Sequence, residues 1–296
     1  MKPEPGGDAG RAVRRVSTLI LHRRLLCNAT GLGGTELPRI CCLGTSSRPS
    51  GPCTAKEVRN GTSRRPGRRR HGSESRSGEG IALVLGSEGA TVYVTARSTR
   101  EAPTVRETPH GVEDTAEEVT ARGGNGIPVA CDHTDDAQVE DLFARVRADQ
   151  GRLDVLVCNA WGGYMPYAEH QGWFSMPFWQ QSMERWDGMF TAGLRAHLLT
   201  ARFALPMMVE ADEGLVVLTT FTMGRRYLGN IFYDIAKNAV CRMVQGLADE
   251  LRDKEVAVVA LSPGWVRAER MTRLSERQEA QTESVEYIGR AVAALA

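Results

Sequence analysis

The sequence predicts an α/β domain in which helices cover both faces of a doubly wound parallel sheet. From residue 80 onward, short β-branched runs alternate with helical stretches of 10–25 residues, a spacing that suits right-handed βαβ crossovers. The run LDVLVCNA (153–160) is apolar without alternation, as a strand buried on both faces requires. The chemically unusual residues follow the carboxyl ends of the expected strands, where such sheets bind ligands.

The elements follow in order. GIALVLGSEG, from Gly80, reads as a short helix and ATVYVTAR (90–97) as a strand rich in β-branched residues. VEDTAEEVTARGG is a helix closed by Gly123 and Gly124, and GIPVAC (126–131) is the next strand. TDDAQVEDLFARVRADQG opens on a capping Thr134 or Asp135 and places Val139, Leu142, Phe143 and Val146 at the helical period. After LDVLVCNA come an aromatic loop, a long helix (about 183–210), LVVLTT (215–220), a helix (about 232–252), VAVVALS (256–262) and a last helix, SVEYIGRAVAALA. Nothing in 55–71 suits a buried central strand, so the first strand of the sheet is expected to be missing or replaced.

The chain is expected to divide into a basic low-complexity extension, residues 1–71, and an α/β domain, residues 72–296. The net charge of +1 conceals an asymmetry, because residues 1–80 hold 16 Lys/Arg against 6 Asp/Glu. All 18 aromatic residues lie at or after Tyr93, leaving the first 80 residues without core-building side chains and pointing to disorder. An Arg-rich organelle-targeting segment is an alternative, as is an out-of-frame translation of a GC-rich gene. No aromatics interleave there to stack bases, so no nucleic-acid partner is expected. No apolar stretch approaches the ~20 residues of a membrane span. Cys27, Cys41, Cys42 and Cys53 fall in the extension without CxxC pairs, so no metal site is expected. Cys131, Cys158 and Cys241 sit in apolar runs and suit a reducing, cytoplasmic compartment.

Tyr233 and Lys237 are four residues apart at a helix start, so they share one face. A phenol titrates near ~10 and is a poor acid or base at neutral pH; a neighbouring ammonium favours phenolate and brings it toward the working range. Thirteen residues before Tyr233, Thr220 ends a strand and offers a hydroxyl to a substrate carbonyl.

With CNA (158–160), Tyr233/Lys237 and SPGW (262–265) in this order, the chain resembles the short-chain dehydrogenase/reductase family over residues 72–296. Within that family GRLDVLVCNA, WDGMFTAGLRAH and FYDIAKNAV resemble the dehydrogenase/reductase member 1 group and its bacterial relatives. The resemblance implies a Rossmann-like fold. It also implies Tyr233 as proton donor and acceptor, Lys237 as holder of the cofactor ribose, and Thr220 in the place of the family's serine. Arg97 would meet the adenosine 2′-phosphate, favouring NADP(H) over NAD(H). Asp132 would contact adenine, or else cap a helix; Asn159, Ala160, Pro263 and Gly264 would border the nicotinamide. The Gly-x-x-x-Gly-x-Gly phosphate turn falls on Gly72, Arg76 and Gly78, its middle glycine replaced by arginine.

Further departures accompany these matches. Cys158 and Trp161 replace the outer members of the Asn-Asn-Ala-Gly element. Gly193 stands at the family's helix asparagine and Ala268 at its threonine after Pro-Gly, and the chain ends before the family's last strand. Seven aromatics in 161–180 suit either a pocket for a hydrophobic carbonyl compound or a packing contact. The expected activity is NADP(H)-dependent interconversion of an alcohol and a carbonyl by a homodimer or tetramer. The alternative is a catalytically impaired relative with an incomplete cofactor cleft.

Overall fold

A computed structural model describes residues 39–43, 76–103, 111–162, 174, 176–222, 226–263, 266 and 282–296. Six parallel strands form one sheet in the order β3-β2-β1-β4-β5-β6. They are β1 (Arg39–Leu43), β2 (Thr91–Ala96), β3 (Asn125–Ala130), β4 (Val155–Cys158), β5 (Gly214–Thr219) and β6 (Val256–Leu261). The helices are α1 (Arg76–Ser87), α2 (Val112–Ala121), α3 (Asp136–Gln150), α4 (Glu184–Met189), α5 (Ala196–Ala211), α6 (Ile231–Glu250) and α7 (Val285–Ala293). The chain order reverses between β1 and β4, which opens a crevice at the carboxyl ends of the strands.

The sequence's apparent lack of a first strand is corrected here. RICCL, Arg39–Leu43, fills the central position and pairs in parallel with β2 and with β4. Between those two strands lie two rows of backbone donors and acceptors that a buried sheet must pair. Five apolar-rich residues suffice for this and carry no periodicity by which to recognise them. Residues 44–75, which separate β1 from α1 in the chain, lie outside the described residues. Apart from β1, the 1–71 extension lies outside the described residues.

The two faces of the sheet build two cores, and the central strands show how. Leu156, Cys158, Val216 and Leu218 face the side packed by Val139, Leu142, Phe143 and Val146 of α3 and by α5 and α6. Val155, Val157, Leu215 and Val217 face the side packed by Ile81 and Leu85 of α1, Val119 of α2 and Ile288 of α7. Continuous apolar strands are thus the signature of burial on both sides. Asp135 caps α3, accepting from the Ala137 and Gln138 amides. Helices α1 and α7 cross so closely that a Cβ on Gly80 would stand 2.1 Å from the Val285 carbonyl oxygen. Among the described residues no helix is long and apolar enough to cross a membrane.

Candidate active site

The first turn of α6 is set by its cap. Asn230 Oδ1 accepts from the Tyr233 amide at 3.1 Å, and its Nδ2 donates to the Phe174 carbonyl and to Gln181 Oε1. Gln181 Oε1 also accepts from the buried Arg185, at 2.6 Å. This network anchors Tyr233 from behind. Its one sequence signal is Asn230 just ahead of an apolar helical run, a capping pattern.

Tyr233 and Lys237 are both buried, at 7% exposure each, on the face of α6 beneath the ends of β4 and β5. The Tyr233 ring is held edge-on by Trp161 at 5.6 Å and by Phe174 at 5.5 Å between centroids. Lys237 Nζ lies 5.7 Å from the Tyr233 ring centre and 3.5 Å from that of Trp161. Burial lowers the Lys237 pKa to about 7, opposed slightly by Cys241.

Thr220, expected to face substrate, is turned the other way. Its hydroxyl is buried and donates to the Lys237 carbonyl at 2.8 Å, with Cys241 Sγ at 3.8 Å. A strand-end side chain can point to the cleft or to the covering helix, and residue spacing does not distinguish the two. Here Thr220 ties β5 to α6.

The long helix after the aromatic loop is broken by a π-helical segment, Phe190–Arg195, between α4 and α5. Gly193 lies in it, and a Cβ there would stand 2.8 Å from Cε3 and Cζ3 of Trp161. One turn on, His197 Nε2 lies 2.9 Å from the Ala160 carbonyl. A carbonyl only accepts, so Nε2 carries the proton. Burial, reinforced by the Lys237 charge, pushes the His197 pKa down to about 3. His197 and His133, which lies just past β3, are buried groups that the sequence reading did not single out.

At the ends of β2 and β3, Arg97 Nη1 pairs with Asp132 Oδ2 at 3.6 Å, and both side chains remain partly exposed. Asp132 Oδ1 accepts from the Thr134 amide and hydroxyl. Burial pushes its carboxyl up, but these bonds and Arg97 outweigh it and hold it below the usual range. Capping of α3 falls to Asp135, so Asp132 holds the turn before it. Asn159 and Ala160 are buried at the end of β4, next to Trp161, and Pro263 follows β6 half-buried. Gly78 is buried in the first turn of α1, which begins at Arg76. Gly72, Gly264 and Ala268 lie outside the described residues. Thus Tyr233, Lys237, Ala160 and Trp161 come together, whereas Arg97 and Asp132 form a separate pair.

The aromatic loop divides. Trp161 and Phe174 pack around Tyr233, while Phe178 and Trp179 are 55% and 74% exposed. Residues 163–173 lie outside the described residues.

Comparison with known proteins agrees with this geometry. The family model described as enoyl-(acyl carrier protein) reductase, of the short-chain alcohol dehydrogenase type, matches residues 74–294. The chain is 34% identical over 234 residues to dehydrogenase/reductase SDR family member 1 of Mus musculus and 32% identical to that of Homo sapiens, covering 74% of this chain and 71% of each relative. D-beta-hydroxybutyrate dehydrogenase of Cupriavidus necator is 29% identical over 70% of this chain and 71% of its own. Among solved structures, a metagenomic short-chain oxidoreductase in complex with NADP superposes with a TM-score of 0.60 at 24% identity, over 88% of this chain and 90% of that one. An alcohol dehydrogenase from Thermococcus sibiricus, complexed with 5-hydroxy-NADP, gives 0.63 at 20% identity, over the same shares. The chain belongs to the short-chain dehydrogenase/reductase family of oxidoreductases.

Proposed function

We propose that this protein is an NADP(H)-dependent oxidoreductase that interconverts an alcohol and a carbonyl on a hydrophobic small molecule. The observation that carries the reading is the buried Tyr233/Lys237 pair on one face of α6, closed in by Trp161 and Phe174. The residues fit a dinucleotide at two places. Lys237 offers an ammonium that meets no carboxylate among the described residues, and the partly exposed Arg97 stands just past β2. Arg97, Asp132, Asn159, Ala160 and Lys237 would hold NADP(H), with Pro263 and the undescribed Gly264 beyond β6. When bound, the nicotinamide supplies or accepts the hydride. Tyr233 gives a proton to the carbonyl oxygen during reduction and takes one from the hydroxyl during oxidation. Lys237 favours the phenolate by its charge, and the aromatic walls keep water from the reacting oxygen. Helices α5 and α6 are the proposed packing surfaces of a homodimer or tetramer, and the cytoplasm is the proposed compartment.

The test is NADPH consumption across a panel of aliphatic and aromatic ketones and aldehydes. Turnover on at least one hydrophobic carbonyl, lost in Tyr233→Phe, is expected; a flat response across the panel overturns the reading. Cofactor choice is tested by fluorescence titration. Arg97→Asp is expected to weaken NADPH at least ~10-fold, since it replaces a phosphate partner with a like charge. NADH should change little, and equal losses for both would remove the 2′-phosphate role.

A second reading, a relative that does not turn over substrate, is favoured by the separation of β1 from α1 and by Arg76 at the start of that helix. By the resemblance, Arg76 takes the motif position of the glycine that lets the backbone approach a pyrophosphate. Failure of NADPH to raise the melting temperature at millimolar concentration would favour it.

A further inference from the structure

We infer that Trp161 is a positioning residue for Lys237, seating the ammonium on its indole face, and that residue 193 is glycine because this indole fills the space a side chain would need. The inference deepens the reductase reading and rests on it only for its catalytic consequence.

Lys237 Nζ stands 3.5 Å from the centre of the Trp161 ring. Among the described residues no ion pair involves Lys237, whose side chain is almost wholly buried. A buried cation without a counter-ion is unfavourable, and an indole face is the best uncharged partner a protein offers it. The groups facing the ammonium are Tyr233 and Cys241 on α6, Trp161 after β4, and the neutral His197 on α5. The same indole meets the Tyr233 ring edge-on at 88°, so one side chain spaces both members of the pair.

Gly193 completes the arrangement. With a Cβ there only 2.8 Å from two indole carbons, alanine crowds the ring and asparagine displaces it. The family's asparagine and this indole therefore exclude one another. The two departures noted in the sequence, Trp161 and Gly193, are a single exchange in which an aromatic face replaces an amide on the helix beside the lysine.

The chain contains four lysines, Lys2, Lys56, Lys237 and Lys254, so the ε-methylene NMR signals of the full-length, lysine-labelled protein can be assigned with Lys237→Arg. Without cofactor, the Lys237 signal is expected upfield, from the ring current, and titrating at about 7. In Trp161→Leu the upfield shift should vanish. The midpoint should fall by about one pH unit, because the charged form loses its aromatic partner. Trp161→Phe should keep part of both effects. Gly193→Ala retains the indole but pushes it aside, and is expected to move the Lys237 signal downfield; it decides the matter if Trp161→Leu does not fold. An unchanged Lys237 shift and midpoint in folded Trp161→Leu, or in Gly193→Ala, overturns the inference. These measurements need neither cofactor nor substrate, so a failed carbonyl panel would leave them standing. Where turnover is present, the acid limb of its pH profile should move with the Lys237 midpoint.

Discussion

Replacing Tyr233 by phenylalanine is expected to lower turnover by about 10²–10⁴-fold, the usual contribution of a positioned general acid or base. The substitution removes one oxygen and leaves the ring. The edge contacts with Trp161 and Phe174 persist, as does the Asn230 cap on the residue 233 amide. Helix α6 should therefore start where it does now, and the melting temperature should shift by a few degrees at most. NADPH affinity should also hold, since Lys237 keeps its ammonium and its place over Trp161. The effect should fall on kcat, with KM for the cofactor unchanged. The two are separated by steady-state NADPH oxidation at saturating carbonyl. A variant within threefold of the parent would show that the proton comes from elsewhere. A variant that is inactive but also unfolded or unable to bind NADPH would assign Tyr233 a structural part.

The family, and the pair proposed to carry the chemistry, are legible because they depend on local spacing. Four residues along a helix bring Tyr233 and Lys237 to one face in any environment, and continuous apolar runs report burial on both faces of the sheet. What could not be read depends on distance in space or on a rotamer. The pairing of RICCL between β2 and β4 joins segments more than 45 residues apart in the chain. A five-residue strand is too short to show a period. Thr220 stands at the expected strand end, yet its hydroxyl turns onto the Lys237 carbonyl, a choice made by helix packing. Trp161 and Gly193 each read as a defect in a motif. Only their contact, 32 positions apart in the chain, shows them to be complementary. Asp132 illustrates the opposite case, where sequence offered capping or a cofactor role and the geometry gave the cap to Asp135.

Acidification from pH 8 to pH 5 is expected to remove about 4 kcal/mol of stability through two buried histidines. His133 is held by two threonines, with Thr95 Oγ1 at 2.9 Å from Nε2 and Thr200 Oγ1 at 3.2 Å from Nδ1. Thr200 gives its proton to the Ala196 carbonyl at 2.7 Å, so it accepts from Nδ1, and Nε2 is left to accept from Thr95. Protonating Nε2 would force the Thr95 hydroxyl to turn round. Burial accordingly pushes His133 down to about 4, opposed by Asp132, and His197 down to about 3. In the unfolded chain both return to about 6.5. Between pH 6.5 and 4 the unfolded state binds protons that the folded state refuses, so the stability is complete above about pH 7 and declines as pH falls through 6.5. At pH 5 each histidine accounts for about 2 kcal/mol, together a large part of the ~5–15 kcal/mol a domain commonly has. Lys237 acts in another window. Its pKa is lowered from 10.5 to about 7, so its burial weakens the fold as pH falls from 10.5 to 7 and adds no further change below that. The depressed carboxyls of Asp132 and Asp135 lose their contribution only below about pH 4. The interval from pH 7 to 5 thus isolates the histidines. Urea midpoints measured across it should fall with pH in the parent. In His197→Gln, which can still donate to the Ala160 carbonyl, they should fall about half as steeply. Equal midpoints at pH 7 and pH 5 would mean that both histidines accept a proton without leaving the folded core.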